Sequence, residues 1–294
     1  MKRHTATLTF QYLLRQALWI ALALAAAYYI VSGFIGSYAP ELNVPVSGWI
    51  ETNIQAVQQL KEPVCFAVIG GHSVDRRAFQ DMLAQINRDD DIHFTVNLAD
   101  MVKQSTQQET IDLVNFYKDR CRKPLLPAFG THDRGSIDSG VYAFSFGPRY
   151  YSFRVGNAYF VMLDTSFPAN IMDRQFRWLE ATMTMSHERH YQTLVFMSVP
   201  LQGPENSTDS PFIARGKSEK LLALFRRFQP THVFASHGGG YYSTTLDGNI
   251  PYTLIGFLNQ TESGDATEKV PGFLKVTIMP AGSVHVVIQH AGQT

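Results

Sequence analysis

Five short apolar runs in this chain each end in residues able to do chemistry. Cys65-Phe66-Ala67-Val68-Ile69 leads into Gly70-Gly71-His72-Ser73, and Phe94-Thr95-Val96-Asn97-Leu98 leads into Ala99-Asp100. Leu125-Leu126-Pro127-Ala128-Phe129 ends at Gly130-Thr131-His132-Asp133. Leu194-Val195-Phe196-Met197 ends at Ser198-Val199-Pro200, and His232-Val233-Phe234-Ala235 ends at Ser236-His237-Gly238-Gly239. Carboxylates and imidazoles are the metal ligands and proton carriers of hydrolytic sites.

Each of these residues also has a structural reading. Asp100 can accept backbone donors at a strand-to-helix turn. His132 and His237 can be buried histidines bonded to the backbone. Ser198 lacks a G-x-S-x-G elbow and an identifiable base, so it is a poor candidate nucleophile. Gly238-Gly239-Gly240 is either an anion-binding nest or a permissive turn. Asp133 and Asp164 read as residues that cap or close turns. His187 and His190, beside Glu188 and Arg189, read as a solvated helix end. Tyr241 and Tyr242 either border a cleft or pack.

The elements that must position these groups are legible as periodicity. Phe79, Met82, Leu83 and Ile86 repeat at helical spacing, and a second helical stretch runs through Leu113 and Tyr117. Residues 150–153 and 159–163 read as a strand pair turning at Gly156-Asn157. Asp173 reads as the cap of a helix carrying Phe176, Trp178 and Leu179. A helix over 221–228 precedes the run at 232–235, and 273–278 with 284–288 reads as a closing antiparallel pair. Trp49 to Leu60 has helical spacing, and the stretch 249–269 reads as a polar loop. Strands alternating with helices predict α/β layering, with functional groups at strand ends.

Composition narrows the class. The chain has 294 residues, 25 Lys plus Arg against 25 Asp plus Glu, and 45% hydrophobic residues. That balance argues against nucleic acid as a partner, and the apolar content against a disordered chain. Residues 16–40 carry no charged side chain, long enough to cross a bilayer. Lys2, Arg3 and Arg15 precede the run, which predicts a cytoplasmic amino terminus and a main domain outside. A cleaved signal after Ala25-Ala26-Ala27 is the rival; Tyr28-Tyr29-Ile30-Val31 continues the apolar run and favours an uncleaved anchor. The expected organisation is a cytoplasmic tail at 1–15, a transmembrane signal anchor at 16–39, a connector at 40–62 and an outer domain at 63–294. Cys65 and Cys121 either bridge in an oxidising compartment or stand as separate thiols.

The order of the five strand ends resembles the calcineurin-like metallophosphoesterase family, which reads D-x-H, G-D, G-N-H-D, a His before a Pro, and G-H-x-H. Supporting text is Phe146-Gly147-Pro148-Arg149-Tyr150-Tyr151 and Leu163-Asp164-Thr165-Ser166. The resemblance covers the chain from Pro63 onward. It implies a two-sheet β-sandwich flanked by helices, here preceded by one transmembrane helix, and a two-metal site at the strand ends. Asp100 matches the bridging Asp, His132 the phosphate-contacting or proton-donating His, and His237 the first His of the last motif. The departures are many. The family's ligands fall on Gly71, Ser73, Thr131, Ser198 and Gly239.

Two-metal hydrolysis needs several strong ligands around each ion. One expected ion retains Asp100 alone, and the other retains Asp100 and His237. The sequence therefore predicts a pseudoenzyme: a membrane-anchored, periplasmic or extracellular domain that binds a ligand or an envelope protein through a remnant cleft of Asp100, Thr131, His132, Ser198 and His237. It predicts no resident cofactor. The alternative is a phosphoester hydrolase with a single divalent ion (Mn, Fe or Zn) on Asp100 and His237, with His132 as the catalytic group.

Overall fold

The uninterrupted apolar runs fold as strands buried on both faces, which is why they lack polar alternation. The computed structural model describes residues 48–71, 76–98, 100–103, 106–134, 139–169, 171–203, 212–236, 241–256, 272–280 and 282–290, with isolated positions 16, 19, 20 and 23. The chain divides into two units, Met1–Val46 and Ser47–Thr294. In the first, the described residues Gln16, Trp19, Ile20 and Ala23 are helical. The rest of the span expected at 16–39 lies outside the described residues. Among the described residues, no helix is long and apolar enough to cross a membrane.

The second unit opens with α1 (Trp49–Val57), followed by β1 (Val64–Ile69), α2 (Arg76–Arg88), β2 (Phe94–Asn97), α3 (Gln107–Arg120) and β3 (Leu125–Pro127). Then come α4 (Ser139–Ser145), β4 (Tyr151–Val155), β5 (Ala158–Leu163), α5 (Asp173–Glu188), β6 (Gln192–Met197), α6 (Arg215–Phe228) and β7 (His232–Ser236). The described elements end with β8 (Tyr241–Leu246), β9 (Ile250–Ile255), β10 (Gly272–Ile278) and β11 (Val284–His290).

Two sheets result, with strand orders β11-β10-β1-β2-β3 and β4-β5-β6-β7-β9-β8. The strands β1-β2-β3 and β5-β6-β7-β9 run parallel, and the remaining pairings are antiparallel. Aromatic side chains join the sheets face to face. Phe66 meets Phe160 at 5.3 Å between ring centroids, and Phe94 meets Phe160 at 5.6 Å. Phe160 stacks on Phe196 at 5.8 Å, and Phe196 on Phe234 at 5.2 Å. The odd-numbered neighbours Val161, Val195, Met197 and Val233 point the other way, into a cluster with Leu179 and Met183 of α5 and Leu221 and Phe225 of α6. The period-two direction of strand side chains divides one apolar run between both layers. Each such residue fully buried contributes roughly 1.5–3 kcal/mol.

Local chemistry sets several boundaries. Thr106 and Glu109 form a reciprocal capping box that starts α3. Asp173 is the first residue of α5 rather than its cap; Met172 takes that place, with no side-chain cap bond. Asp173 instead faces Lys217 and Lys220 of α6 at 3.8 and 3.7 Å. The start of the stretch read as a loop at 249–269 is β9, a strand buried at all but one position, hairpinned to β8. The helix α4 was not legible either. The indole of Trp49 on α1 donates to the Leu125 carbonyl at 2.9 Å, so α1 covers the edge strand β3. Cys65 and Cys121 are free thiols.

Candidate functional site

Parallel strands put their carboxyl ends on one side, and the loops that follow are free of the ladder. Gly71 follows β1, Asp100 follows β2, Thr131 and His132 follow β3, and Ser198 follows β6. The two sheets touch at this side. The Gly71 N–H donates to Ser236 Oγ, at the end of β7, at 3.2 Å. A Cβ on Gly70 would lie 2.5 Å from the Ile255 carbonyl oxygen at the end of β9. Only glycine allows that approach of two backbones.

Asp100, Thr131, His132 and Asp133 are brought together by reciprocal bonds. Asp100 Oδ1 accepts from the His132 N–H at 2.9 Å. Asp133 answers: its Oδ2 accepts from the Asp100 N–H at 2.9 Å and the Gly130 N–H at 3.0 Å. Its Oδ1 accepts from the N–H groups of Met101 at 2.7 Å and Val102 at 3.3 Å. This clamp holds Asp100 at φ +53°, the left-handed region that Asp tolerates better than most residues. Burial pushes the Asp100 carboxyl above its ordinary range, against the pull of backbone N–H bonds from His132 and Thr131. Burial, with the neighbouring Asp100 charge, pushes Asp133 up as well, while its amide donors pull it down. The structural reading of Asp100 as an acceptor of backbone donors holds, and Asp133 closes the turn as expected. His132 is exposed rather than buried; its Nδ1 lies 3.4 Å from the Lys103 carbonyl oxygen.

Ser198 sits in a second cluster. The hydroxyl of Thr165, after β5, accepts from the Ser198 N–H at 3.1 Å and the Val199 N–H at 2.8 Å. Both its lone pairs are then used, so its own proton goes to Ser198 Oγ at 3.0 Å. Both residues are buried. Beside them, Asp164 accepts from the Ser166 N–H at 3.1 Å and hydroxyl at 2.6 Å, and pairs with Arg149 at 3.4 Å. Thr165, Ser236 and Arg149 were missed as site residues. Arg149 and Thr165 lay in text that the resemblance quotes without a role, and Ser236 in the polar text that closes a buried strand.

Among the described residues, those at the family's ligand positions do not fit a two-metal centre. Gly71 has no side chain to offer. The Ser198 hydroxyl is buried and tied to Thr165. Thr131 offers a neutral hydroxyl, and the Asp100 carboxylate already holds backbone N–H groups. Among the described residues, no group of three or more His, Cys, Asp and Glu side chains is placed to hold a metal ion. His72, Ser73, His237 and Gly239 lie outside the described residues, as does Gly238.

No family model matches the chain. Human serine/threonine-protein phosphatase CPPED1 is 27% identical over 137 residues, which is 40% of this chain and 44% of that protein. The protein of the same name from Pongo abelii is 26% identical over the same length. The chain thus spans less than half the length of these curated relatives. Among solved structures, purple acid phosphatase PPD1 from yellow lupin seeds has a TM-score of 0.63 at 14% identity, covering 80% of this chain and 53% of that one. GAP50, described as the anchor in the inner membrane complex of Plasmodium, has a TM-score of 0.60 at 15% identity, covering 79% and 86%. A dimetal phosphatase from Danio rerio has a TM-score of 0.54 at 15% identity, covering 79% and 100%. The two helix-flanked sheets, the strand-end clamp and these likenesses together give this chain the calcineurin-like metallophosphoesterase fold.

Proposed function

We propose that this protein is a membrane-anchored, extracytoplasmic pseudo-phosphoesterase that acts by binding a ligand or an envelope protein at its strand-end cleft. One observation carries the reading: at positions where the family would have metal ligands, Gly71 offers only its backbone and Ser198 only a buried neutral hydroxyl bonded to Thr165. A fold keeps its cleft after losing its chemistry, and function then follows the site rather than the architecture. Residues 16–39 supply the proposed anchor. The likeness to GAP50, described as an anchor in a membrane complex, supports the anchored reading.

The test is hydrolysis of a general phosphomonoester such as p-nitrophenyl phosphate by the full chain, with Mn²⁺, Fe²⁺ or Zn²⁺ supplied in turn. The expected rate equals that of the chelator-treated protein, and Gly71→Asp alone does not raise it. Metal-dependent turnover that Asp100→Ala abolishes would overturn the pseudoenzyme reading. It would favour the single-metal hydrolase instead, in which the exposed His132 meets the phosphate. Alkaline carbonate extraction of membranes tests the anchor. The chain should remain with the pellet, and its release would refute anchoring.

A further inference from the structure

A second polar feature lies on helices α2 and α3. A hollow of about 340 Å³ opens there, lined by Gln80, Asn87, Arg88, Asp119, Arg120 and Arg122 among others. Arg88 ends α2, Arg120 ends α3 and Arg122 lies just beyond. We propose that this hollow binds a phosphate monoester dianion, through the guanidinium groups of Arg88, Arg120 and Arg122.

Basic residues at helix carboxyl ends often do no more than offset the helix dipole. That accounts for Arg88 and Arg120 taken singly. It does not account for Arg122, or for three guanidinium groups around one concavity. Like charges gathered this way repel, and a bound dianion removes that repulsion. Asp119 is the one carboxylate among the residues lining the hollow, so positive charge remains in excess. Among the described residues, none of the three arginines makes an ion pair.

The hollow is also held in shape by bonds of its own. Asn87 Nδ2 donates to the Arg120 carbonyl at 2.7 Å, and Asn87 Oδ1 accepts from the Arg122 N–H at 3.1 Å. One side chain of α2 thereby fixes the turn carrying both other arginines. Gln80, with its amide oxygen facing Arg120, accepts from both terminal nitrogens of that guanidinium and orients it, and each nitrogen keeps a second N–H. The Arg88 Nε is spent on the Ala84 carbonyl at 3.2 Å, so its contribution to a ligand would come from its terminal nitrogens. Planar guanidinium groups in fixed orientation suit bidentate recognition of phosphate oxygens, where lysines would act only as point charges.

The phosphate could belong to a free small molecule or to a lipid headgroup. Two arms distinguish these sources. Inorganic phosphate is titrated calorimetrically into the full chain, and flotation is measured with phosphatidylcholine vesicles with and without phosphatidic acid. Binding should weaken at least tenfold in the triple variant Arg88→Gln, Arg120→Gln, Arg122→Gln. His132→Ala in the cleft should leave it unchanged. All three arginines are exposed, so melting temperature serves as the folding control. Arg120→Lys, which keeps the charge and loses the fork, should bind at an intermediate level. Binding to inorganic phosphate would identify a free ligand, and binding to phosphatidic acid vesicles alone a lipid. Binding in neither arm, binding unaffected by the triple variant, or binding lost in His132→Ala would overturn the proposal.

Discussion

Thr165→Val is the sharpest probe of how the Ser198 position is used. Valine keeps the shape of threonine and removes only the hydroxyl. That hydroxyl accepts two backbone N–H groups, from Ser198 at 3.1 Å and Val199 at 2.8 Å, and bonds Ser198 Oγ at 3.0 Å. Thr165 is fully buried and Ser198 nearly so, so water cannot replace the lost acceptor. A buried donor left without a partner costs about 1–3 kcal/mol, and two of them set the scale at roughly 2–6 kcal/mol. Ser198→Ala leaves only the Thr165 proton without an acceptor and should cost about 1–3 kcal/mol, half the scale of Thr165→Val. Urea unfolding of both single variants and the double variant forms a thermodynamic cycle. The double variant should be less destabilised than the sum, because the shared bond is lost only once. A cost for Thr165→Val below about 0.5 kcal/mol, the scale of a neutral surface change, would refute the reasoning. Ser198 would then be free to serve as a ligand.

Two further perturbations follow from the geometry. His232 is buried, its Nε2 lies 2.8 Å from Thr253 Oγ1, and burial lowers its pKa to about 4. The unfolded chain takes up this proton below about pH 6.5 while the folded chain does not, so His232 lowers stability as pH falls from 6.5 towards 4, by up to about 3 kcal/mol. Asp100 and Asp133, whose carboxyls are raised, give the opposite slope over the same interval, so the comparison is wild type against His232→Gln in urea at pH 7.5 and pH 5. Equal pH dependence in the two proteins would refute the assignment. Gly70→Ala would drive a Cβ to 2.5 Å from the Ile255 carbonyl oxygen, a backbone atom that cannot swing aside. Overpacking of this kind costs about 1–3 kcal/mol, read as a lowered urea midpoint; an unchanged midpoint would show that the sheet ends do not press together there.

The sequence exposed the parts of this molecule that repeat with a period. Strands β1, β2, β6 and β7 are apolar runs closed by polar residues, and each was readable because a strand buried on both faces has no polar alternation to confuse it. The hairpin β8–β9 was harder. Tyr241 to Thr245 is half exposed, and Asn249 and Pro251 look like turn residues, yet Pro251 is the second residue of a strand and its one exposed position. Helix α4 spans seven residues, too few for a helical period to stand out. At the site, the identities of Asp100 and Asp133 were legible but their reciprocity was not, since it depends on two loops that meet only when β2 and β3 pair. The exposure of His132 was likewise invisible, because histidine is common in both environments.

The most direct test of the central claim is Mn²⁺ binding to the chelator-stripped full chain, followed by titration calorimetry, with Asp100→Ala as the control and circular dichroism to show that both are folded. The account predicts no saturable heat that depends on Asp100, because the strand ends offer Gly71 and a hydroxyl already bonded to Thr165 where ligands would be needed. Micromolar binding that disappears in Asp100→Ala would contradict it, and would restore this cleft as a working metal site.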